Sequence, residues 1–558
     1  MVCLLGVVPA AVVGGAGVIV AADALAGVFL SWAAGRAPTD RQPSGGRMSY
    51  PSRTLPIMPI PWRALAVVTL LMTTAVPGGG RDDKVGGDYL VRRGDTLSQI
   101  ALDHGIPGGA ATLLDRNDDV LTDADTIYAG QRLAVDAPAP RRADGTTFAP
   151  LAGPPASELT AAELAPVPLP TTFPGATAGA PWVVSLGDSF ISGEAGRWAG
   201  NSGGSSTLTD ALGPTAYFDS PLDDRELIPL CHRSKSAMIH IADAGTPTTP
   251  GSPVNSLNLA CSGAQTTTQK ESGAFKPGLD FYDDGPGEQG QALMLQQFVQ
   301  AGNDVRTVVV SIGGNNFDFA PVIQTCVEDY LVYYSYCSQD PTVTDQASPA
   351  RIAAVAGEIA TGLRNVQQAM RQAGRSDDSW TLVVNLDPDP LVLGGGFRYE
   401  ETYSRQSTGG CGIYDVDATW AGTTFITAVQ QATRQGLAQA AVPGSVVLDL
   451  SGWLTDRQLC STTTQLVGES GGAATWQSAG AVDVSEWANQ IRTVTVLGPY
   501  MQQESLHPNY WAQLAARSCV RQLVASGGDG RPSGGACVRT GSGLTSRGEP
   551  VMTFTPGS

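Results

Sequence analysis

Charge is scarce in this sequence: Asp, Glu, Lys and Arg together make up 15% of it, and no dense Lys/Arg block occurs. With a formal net charge of −18 the chain lacks the basic footprint of a nucleic-acid binder, which excludes nucleic acid as a partner. Histidine is scarcer still, with four residues. There is neither a His-Glu-x-x-His motif nor a set of paired Cys-x-x-Cys, so no metal site and no cofactor are expected. An internal repeat is also missing, which excludes a solenoid or propeller. What is abundant is glycine and proline, 67 and 38 residues, the composition of many turns, long loops and some extended linker. A hydrophobic fraction of 42% is enough for at least one large core, so the chain is not read as disordered.

The N-terminal region, residues 1–80, is apolar and points to export. Val2 to Ala34 is almost continuously apolar, broken by Asp23, and is long enough to span a membrane. A second segment starts afresh at Met48: Arg53 and Arg63 form a basic stretch, followed by apolar Ala64 to Val76 and then Pro77-Gly78-Gly79-Gly80. That is the layout of a secretory signal peptide. One reading makes Met48 the true start and residues 1–47 a gene-start artefact. The other makes the region a membrane anchor of two passes, with Arg36 to Arg63 held in the cytoplasm by the positive-inside rule. Both place the rest of the chain outside the cytoplasm. The scattered Cys231, Cys261, Cys326, Cys337, Cys411, Cys460, Cys519 and Cys537 agree, since such a set reads as disulfides in an oxidising compartment.

Residues 88–135 form a small unit of their own. Alternation in Tyr89/Val91 and Leu133/Val135 predicts two short strands, and Leu97, Ile100 and Ala101 share one helix face that Asp95 or Thr96 can cap. A second helix is expected near Ala111 to Asn117, giving a βααβ order. From Asp136 to about Ala180 the chain is dominated by Ala, Pro, Thr and Gly and reads as a semi-extended tether over 136–180.

Beyond the tether, buried-strand runs at Trp182 to Leu186, Thr307 to Ile312, Thr381 to Leu386 and Val446 to Leu450 alternate with helical patterns. Ile352, Val355, Ile359, Leu363, Val366 and Met370 recur at three and four residues, and Ser348-Pro349 supplies an N-cap and a proline at the first helical position. Strands separated by helices predict an α/β fold with a doubly wound parallel sheet over residues 181–540, followed by a flexible tail at 541–558.

The first run ends in Gly187-Asp188-Ser189, which puts Ser189 in the turn from strand to helix, where open α/β sheets place their ligands. Alone, these are ordinary turn residues. Three further pieces fall on the same chemistry: Gly313-Gly314-Asn315-Asn316 after a strand, Cys261-Ser262-Gly263 with a glycine whose N–H can be approached closely, and Glu504-Ser505-Leu506-His507-Pro508 before a helix. Ester hydrolysis needs an activated hydroxyl, a base and donors for the oxyanion, and Ser189, His507, Gly263 and Asn315 supply those types. His104 belongs to the small unit, while His232 and His240 are read as surface or packing residues.

Two resemblances follow from these motifs. Residues 88–135, with Gly94-Asp95-Thr96-Leu97, Ile100-Ala101, Asn117 and Ile127-x-x-Gly130-Gln131-x-Leu133, resemble a LysM domain, which implies binding of peptidoglycan or chitin-type N-acetylglucosamine polymer. Gly94, Asp95, Thr96, Leu97, Asn117 and Ile127 are the glycan-binding residues that this resemblance implies. Residues 181 to about 526 resemble the SGNH (GDSL) hydrolases of the disulfide-bonded type found in secreted actinobacterial lipases and esterases, which implies a flavodoxin-like three-layer fold. The resemblance makes Ser189 the nucleophile, His507 the base, and the Ser189 N–H, Gly263 N–H and Asn315 amide the oxyanion hole.

Two positions depart from the family. Glu504 stands where it usually has Asp three residues before the histidine, so Glu504, by its side chain or its backbone carbonyl, is the expected partner of His507. Asn316 stands where Asp is usual. Short loops together with the resemblance imply the disulfides Cys231–Cys261, Cys326–Cys337, Cys411–Cys460 and Cys519–Cys537. The expectation is an exported, wall-associated esterase or lipase acting on acyl esters. The alternatives are an acyltransferase on the same fold and a wall-binding protein with a dead site.

Overall fold

The computed structural model describes residues 166–557, apart from 242–252, 272–273, 493–499 and 528–530. Of the small unit it describes 88–90, 132–135 and single positions between them. The apolar region 1–80, the tether as far as residue 165, and Gly94, Asp95, Thr96 and Ile127 lie outside the described residues.

In the small unit β1 (Asp88–Leu90) pairs antiparallel with β2 (Arg132–Ala134), Tyr89 opposite Leu133. Leu97, Ile100, Ala101, Ile106, Leu113, Leu121, Leu133 and Val135 form a core of their own. The predicted strands and the Leu97/Ile100/Ala101 face are thus present. Leu97 is fully buried in that core. Asn117, also buried, donates from its side chain to the carbonyls of Leu113 and Ala134 and accepts from the Ala134 N–H at 2.7 Å. Both side chains are committed to holding the unit together, because a buried amide must find partners where water cannot reach it.

The large unit is built on one seven-stranded sheet. Its strands are β3 (Trp182–Gly187), β4 (Asn255–Asn258), β7 (Val305–Ser311), β8 (Thr381–Leu386), β9 (Val446–Asp449), β10 (Gly535–Leu544) and β11 (Pro550–Pro556). They run in the order β4-β3-β7-β8-β9-β10-β11. Every pair is parallel except β10–β11. A separate two-stranded ribbon joins β5 (Gln269–Glu271) to β6 (Ala274–Lys276).

The central strands carry apolar residues at most positions, and alternate residues feed opposite faces. Val184, Val308 and Val384 enter one core with helices α2 (Gln291–Gln300), α3 (Pro349–Gln372) and α4 (Ile426–Ala440). Val183, Val309 and Val383 enter the other, with α5 (Tyr510–Ser526). Period-two side chains on a strand covered on both sides give this three-layer arrangement. Ser348 caps α3 by accepting from the Arg351 N–H, with Pro349 at the first helical position, as its sequence predicts. The described residues hold the disulfides Cys231–Cys261, Cys326–Cys337, Cys411–Cys460 and Cys519–Cys537.

Two boundaries need correction. The segment from Pro166 belongs to the large unit and not to a free tether. Val167 donates to the Leu227 carbonyl, and Phe173 packs edge-on to Trp182 and Phe298, each at 5.4 Å. Residues 541–556 are no tail. Met552 and Phe554 alternate with exposed Thr553 and Thr555, and the two apolar side chains bury against α5, making β11 the edge strand. Burial of those two side chains holds the segment on the sheet.

A candidate active site at the strand ends

The chain leaves β3 at Gly187, where φ is 130° and an added Cβ would lie 1.8 Å from the Ser311 carbonyl oxygen, so only glycine passes. Gln291 of α2 holds both polar groups of Gly187, accepting its N–H at 2.6 Å and donating to its carbonyl at 2.8 Å. Asp188 donates its own N–H to Ser311 and caps the short helix α1 (Ser189–Ser192) by accepting from the Phe190 N–H. Ser189 is therefore fixed as the first residue of α1. β3 and β7 are the adjacent strands from which the chain turns to opposite sides of the sheet, and the crevice beyond their carboxyl ends is where such sheets bind ligands.

His507 comes to Ser189 from the loop before α5. Its Nε2 lies 2.6 Å from Ser189 Oγ, and its Nδ1 lies 3.0 Å from the Ser505 carbonyl oxygen. A carbonyl only accepts, so this contact assigns the ring hydrogen to Nδ1 and leaves the Nε2 lone pair facing the serine hydroxyl. The turn that returns the Ser505 carbonyl to the ring passes through Leu506 at φ 60°. Burial holds the imidazole below the usual histidine range, although the Glu194 charge and the Ser505 carbonyl act against it.

Glu504 is not the partner of the imidazole. Its carboxylate accepts from the Tyr217 hydroxyl at 2.5 Å, Trp198 Nε1 at 2.9 Å and the Met501 N–H at 2.9 Å. Its carbonyl accepts from the His507 backbone N–H at 3.2 Å and acts on the ring less than the Ser505 carbonyl does. Three donors in a buried pocket hold the carboxylate there, and the neighbouring residue's carbonyl takes the position beside the ring. Burial, with the charge of Glu194, pushes Glu504 up to about 7.

Asn315 opens the turn after β7. Its Nδ2 donates to the Ala264 carbonyl at 2.9 Å, which orients the amide and leaves it a second N–H. Ser189 and Asn315 line one pocket, walled by Phe190, Phe319, Pro388, Ile426 and Val429 and by the carboxyls of Asp188 and Asp387. Gly263, at φ 80°, is not in that wall and stands against the side chain of Lys276. Asn316 faces inward. It accepts from the Thr266 N–H and donates to Thr266 Oγ1 and to Glu358, tying the β7 loop to the Gly263 loop.

Three further groups were not assigned a part from the sequence. Asp387, which follows β8, accepts from Ser311 Oγ at 2.8 and 2.9 Å, and burial pushes it to about 7. Burial and the charge of Asp387 together push Asp188 well above the carboxylate range. Asp387 could have been found by position, since it lies at the same strand ends as Ser189 and Asn315. Glu194 and His232 form a buried ion pair, His232 Nδ1 lying 2.9 Å from both carboxylate oxygens. Nothing local in the sequence pairs two residues so far apart in the chain. His232 is buried and ion-paired, where the sequence predicts a surface or packing residue, and its ring stacks on Tyr217 at 4.3 Å. Among the described residues no cluster of His, Cys, Asp and Glu could hold a metal ion.

No protein with a curated description matches this chain. Among solved structures the large unit is similar to the extracellular lipase of Streptomyces rimosus, with 19% identity over 60% of this chain and 95% of that one, at a TM-score of 0.31. It is similar to the phospholipase A1 of Streptomyces albidoflavus, with 18% identity over 60% and 95%, at 0.29. A native M. smegmatis aryl esterase follows with 12% identity over 48% and 84%, at 0.21. The three-layer assignment stands on the sheet order and the two covered faces themselves. Residues 89–136 match the family model described as LysM domain, so this chain carries a LysM domain ahead of a doubly wound α/β unit.

Proposed function

We propose that the protein is an exported, wall-associated serine esterase that cleaves carboxylic esters, with Ser189 as nucleophile and His507 as base. The observation that carries this reading is the 2.6 Å contact from His507 Nε2 to Ser189 Oγ, on a ring whose other nitrogen is engaged by the Ser505 carbonyl. In that tautomer His507 accepts the hydroxyl proton as Ser189 Oγ attacks the ester carbonyl carbon. The oxyanion takes hydrogen bonds from the free N–H of Asn315 and the N–H groups of Ser189 and Gly263. His507 then returns the proton to the departing alcohol, and water repeats the sequence on the acyl-enzyme.

The apolar wall of Phe190, Phe319, Ile426 and Val429 suits an acyl chain. The LysM domain supports retention on N-acetylglucosamine polymers of the wall, and four disulfides suit an oxidising compartment outside the cytoplasm. Labelling by a fluorophosphonate, mapped by peptide mass spectrometry, tests the reading together with hydrolysis of a series of acyl esters of rising chain length. Label on Ser189 with turnover is expected. An unlabelled, folded protein would overturn it.

A further inference from the structure

Resting on that reading, the structure assigns a second acidic group to the reaction. We propose that Glu194 is a positioning residue for the Ser189–His507 pair, a buried carboxylate whose charge stabilises the imidazolium. Proton transfer from Ser189 turns His507 into an imidazolium, whose Nδ1–H rests on the Ser505 carbonyl, a dipole without net charge. A carboxylate bonded to the ring would compensate the cation. Here Glu504 is turned to Tyr217 and Trp198, and that compensation has to come from elsewhere.

Glu194 is placed for it. It lies two residues after α1, its N–H donates to the Ser189 carbonyl at 3.2 Å, and it is fully buried. An unpaired carboxylate in that position would protonate and lose its charge. His232 prevents this with Nδ1 at 2.9 Å from both oxygens, and Gln503 Nε2 and Ser262 also donate to the carboxylate. The His232 cation is itself held, by the stacked ring of Tyr217 and by Glu226 at 3.7 Å from Nε2. Glu504 and Lys276 are the other charged groups that act on this cluster. Burial would raise Glu194, but the charge and hydrogen bond of His232 outweigh it and hold the carboxyl at about 2. The acidic end of the pair is the one felt at the catalytic ring, because Glu194 attracts the His507 cation more than His232 repels it.

The substitution Glu194→Gln keeps the shape and removes the charge. The rate of Ser189 labelling by a fluorophosphonate, followed from pH 4 to 9 in the full chain, should fall about tenfold at the plateau. The acid limb of its profile should move down by about one pH unit, since the imidazole becomes harder to protonate. A purely structural role for Glu194 would lower the rate without moving the limb, and an unmoved limb overturns the proposal. Failure of wild type to label at Ser189 would instead overturn the esterase reading. Should Glu194→Gln not fold, histidine ring resonances of the wild type decide the matter, with His104→Gln and His240→Gln variants for assignment. His232 should stay doubly protonated while His507 titrates. A neutral His232 at pH 7 would leave Glu194 without its cation and would equally overturn the proposal.

Discussion

The two sides of the Ser189–His507 pair are built from the same material and behave differently. On the pocket side Asp188 and Asp387 are carboxyls whose charge no cation balances, and both are pushed upward, Asp387 to about 7. On the rear side Glu194, no less buried, is held at about 2 beside the His232 cation, while Glu504, a neighbour given only neutral donors, rises to about 7. Burial is common to all of them, and hydrogen-bond donors are common to all of them. What separates Glu194 is a cation in contact. The pocket-side carboxyls are thereby pushed toward their neutral forms, and on the rear side Glu194 stays ionised beside the His232 cation.

The sharpest test of this division is to remove the pair that divides the two sides. Ser189→Ala and His507→Ala should each lower turnover by at least about 10⁴ while leaving the thermal midpoint near wild type. Substantial hydrolysis by folded Ser189→Ala would move the chemistry elsewhere. Next in size is Asn315→Ala, which removes the proposed oxyanion donor on the pocket side. It should lower kcat by about 10²–10³, roughly 3 kcal/mol, with little change in KM. An effect on KM alone would make Asn315 a binding residue.

Glu504→Gln sharpens the contrast on the rear side, because a carboxyl bonded to Tyr217 and Trp198 orients no proton on His507. Its rate should stay within about tenfold of wild type, against the loss of about 10⁴ expected when a triad acid is neutralised. A loss of that larger size would place the carboxylate on the ring after all.

The comparison also has a sign in stability. Asp387 and Glu504 ionise at ordinary values of 3.8 and 4.5 when unfolded and at about 7 when folded. Their protonated forms favour the fold. That contribution is complete below pH 4 and is lost as pH rises through about 7. Glu194 runs the other way, its contribution present above 4.5 and lost only as pH falls through about 2. The urea midpoint should therefore fall between pH 5 and 8, and a flat or rising midpoint would show that these carboxyls are ionised in the fold. The smallest expected effect is that of deleting residues 88–135, which should leave hydrolysis of a soluble ester unchanged while retention on insoluble peptidoglycan is lost. Equal retention of both proteins would remove the targeting role.

Much of the fold was legible because it depends on local pattern. The runs at Thr381 to Leu386 and Val446 to Leu450 are strands, and the period of Ile352 to Met370 is the buried stripe of α3. Of the sheet, β4, β10 and β11 were missed. Asn255–Asn258 is too polar to announce a strand, and its edge position is set by pairing with β3. Met552 and Phe554 become core only because α5 lies over them.

Within the site, the sequence by itself singled out a serine after a strand and glycine turn, an asparagine after another strand and a histidine before a helix, and the fold brings Ser189 to His507 and Asn315 to the same pocket as Ser189. Only the tertiary structure decided their supporting partners. Whether Glu504 or the Ser505 carbonyl meets His507 turns on one backbone angle at Leu506 and on donors from Trp198 and Tyr217, hundreds of residues away. The ionised state of Glu194 likewise depends on His232, which is brought to it by the fold. Charge and hydrogen bonding act through space over a few ångströms, and which groups come that close is a property of the packed chain and not of its local order.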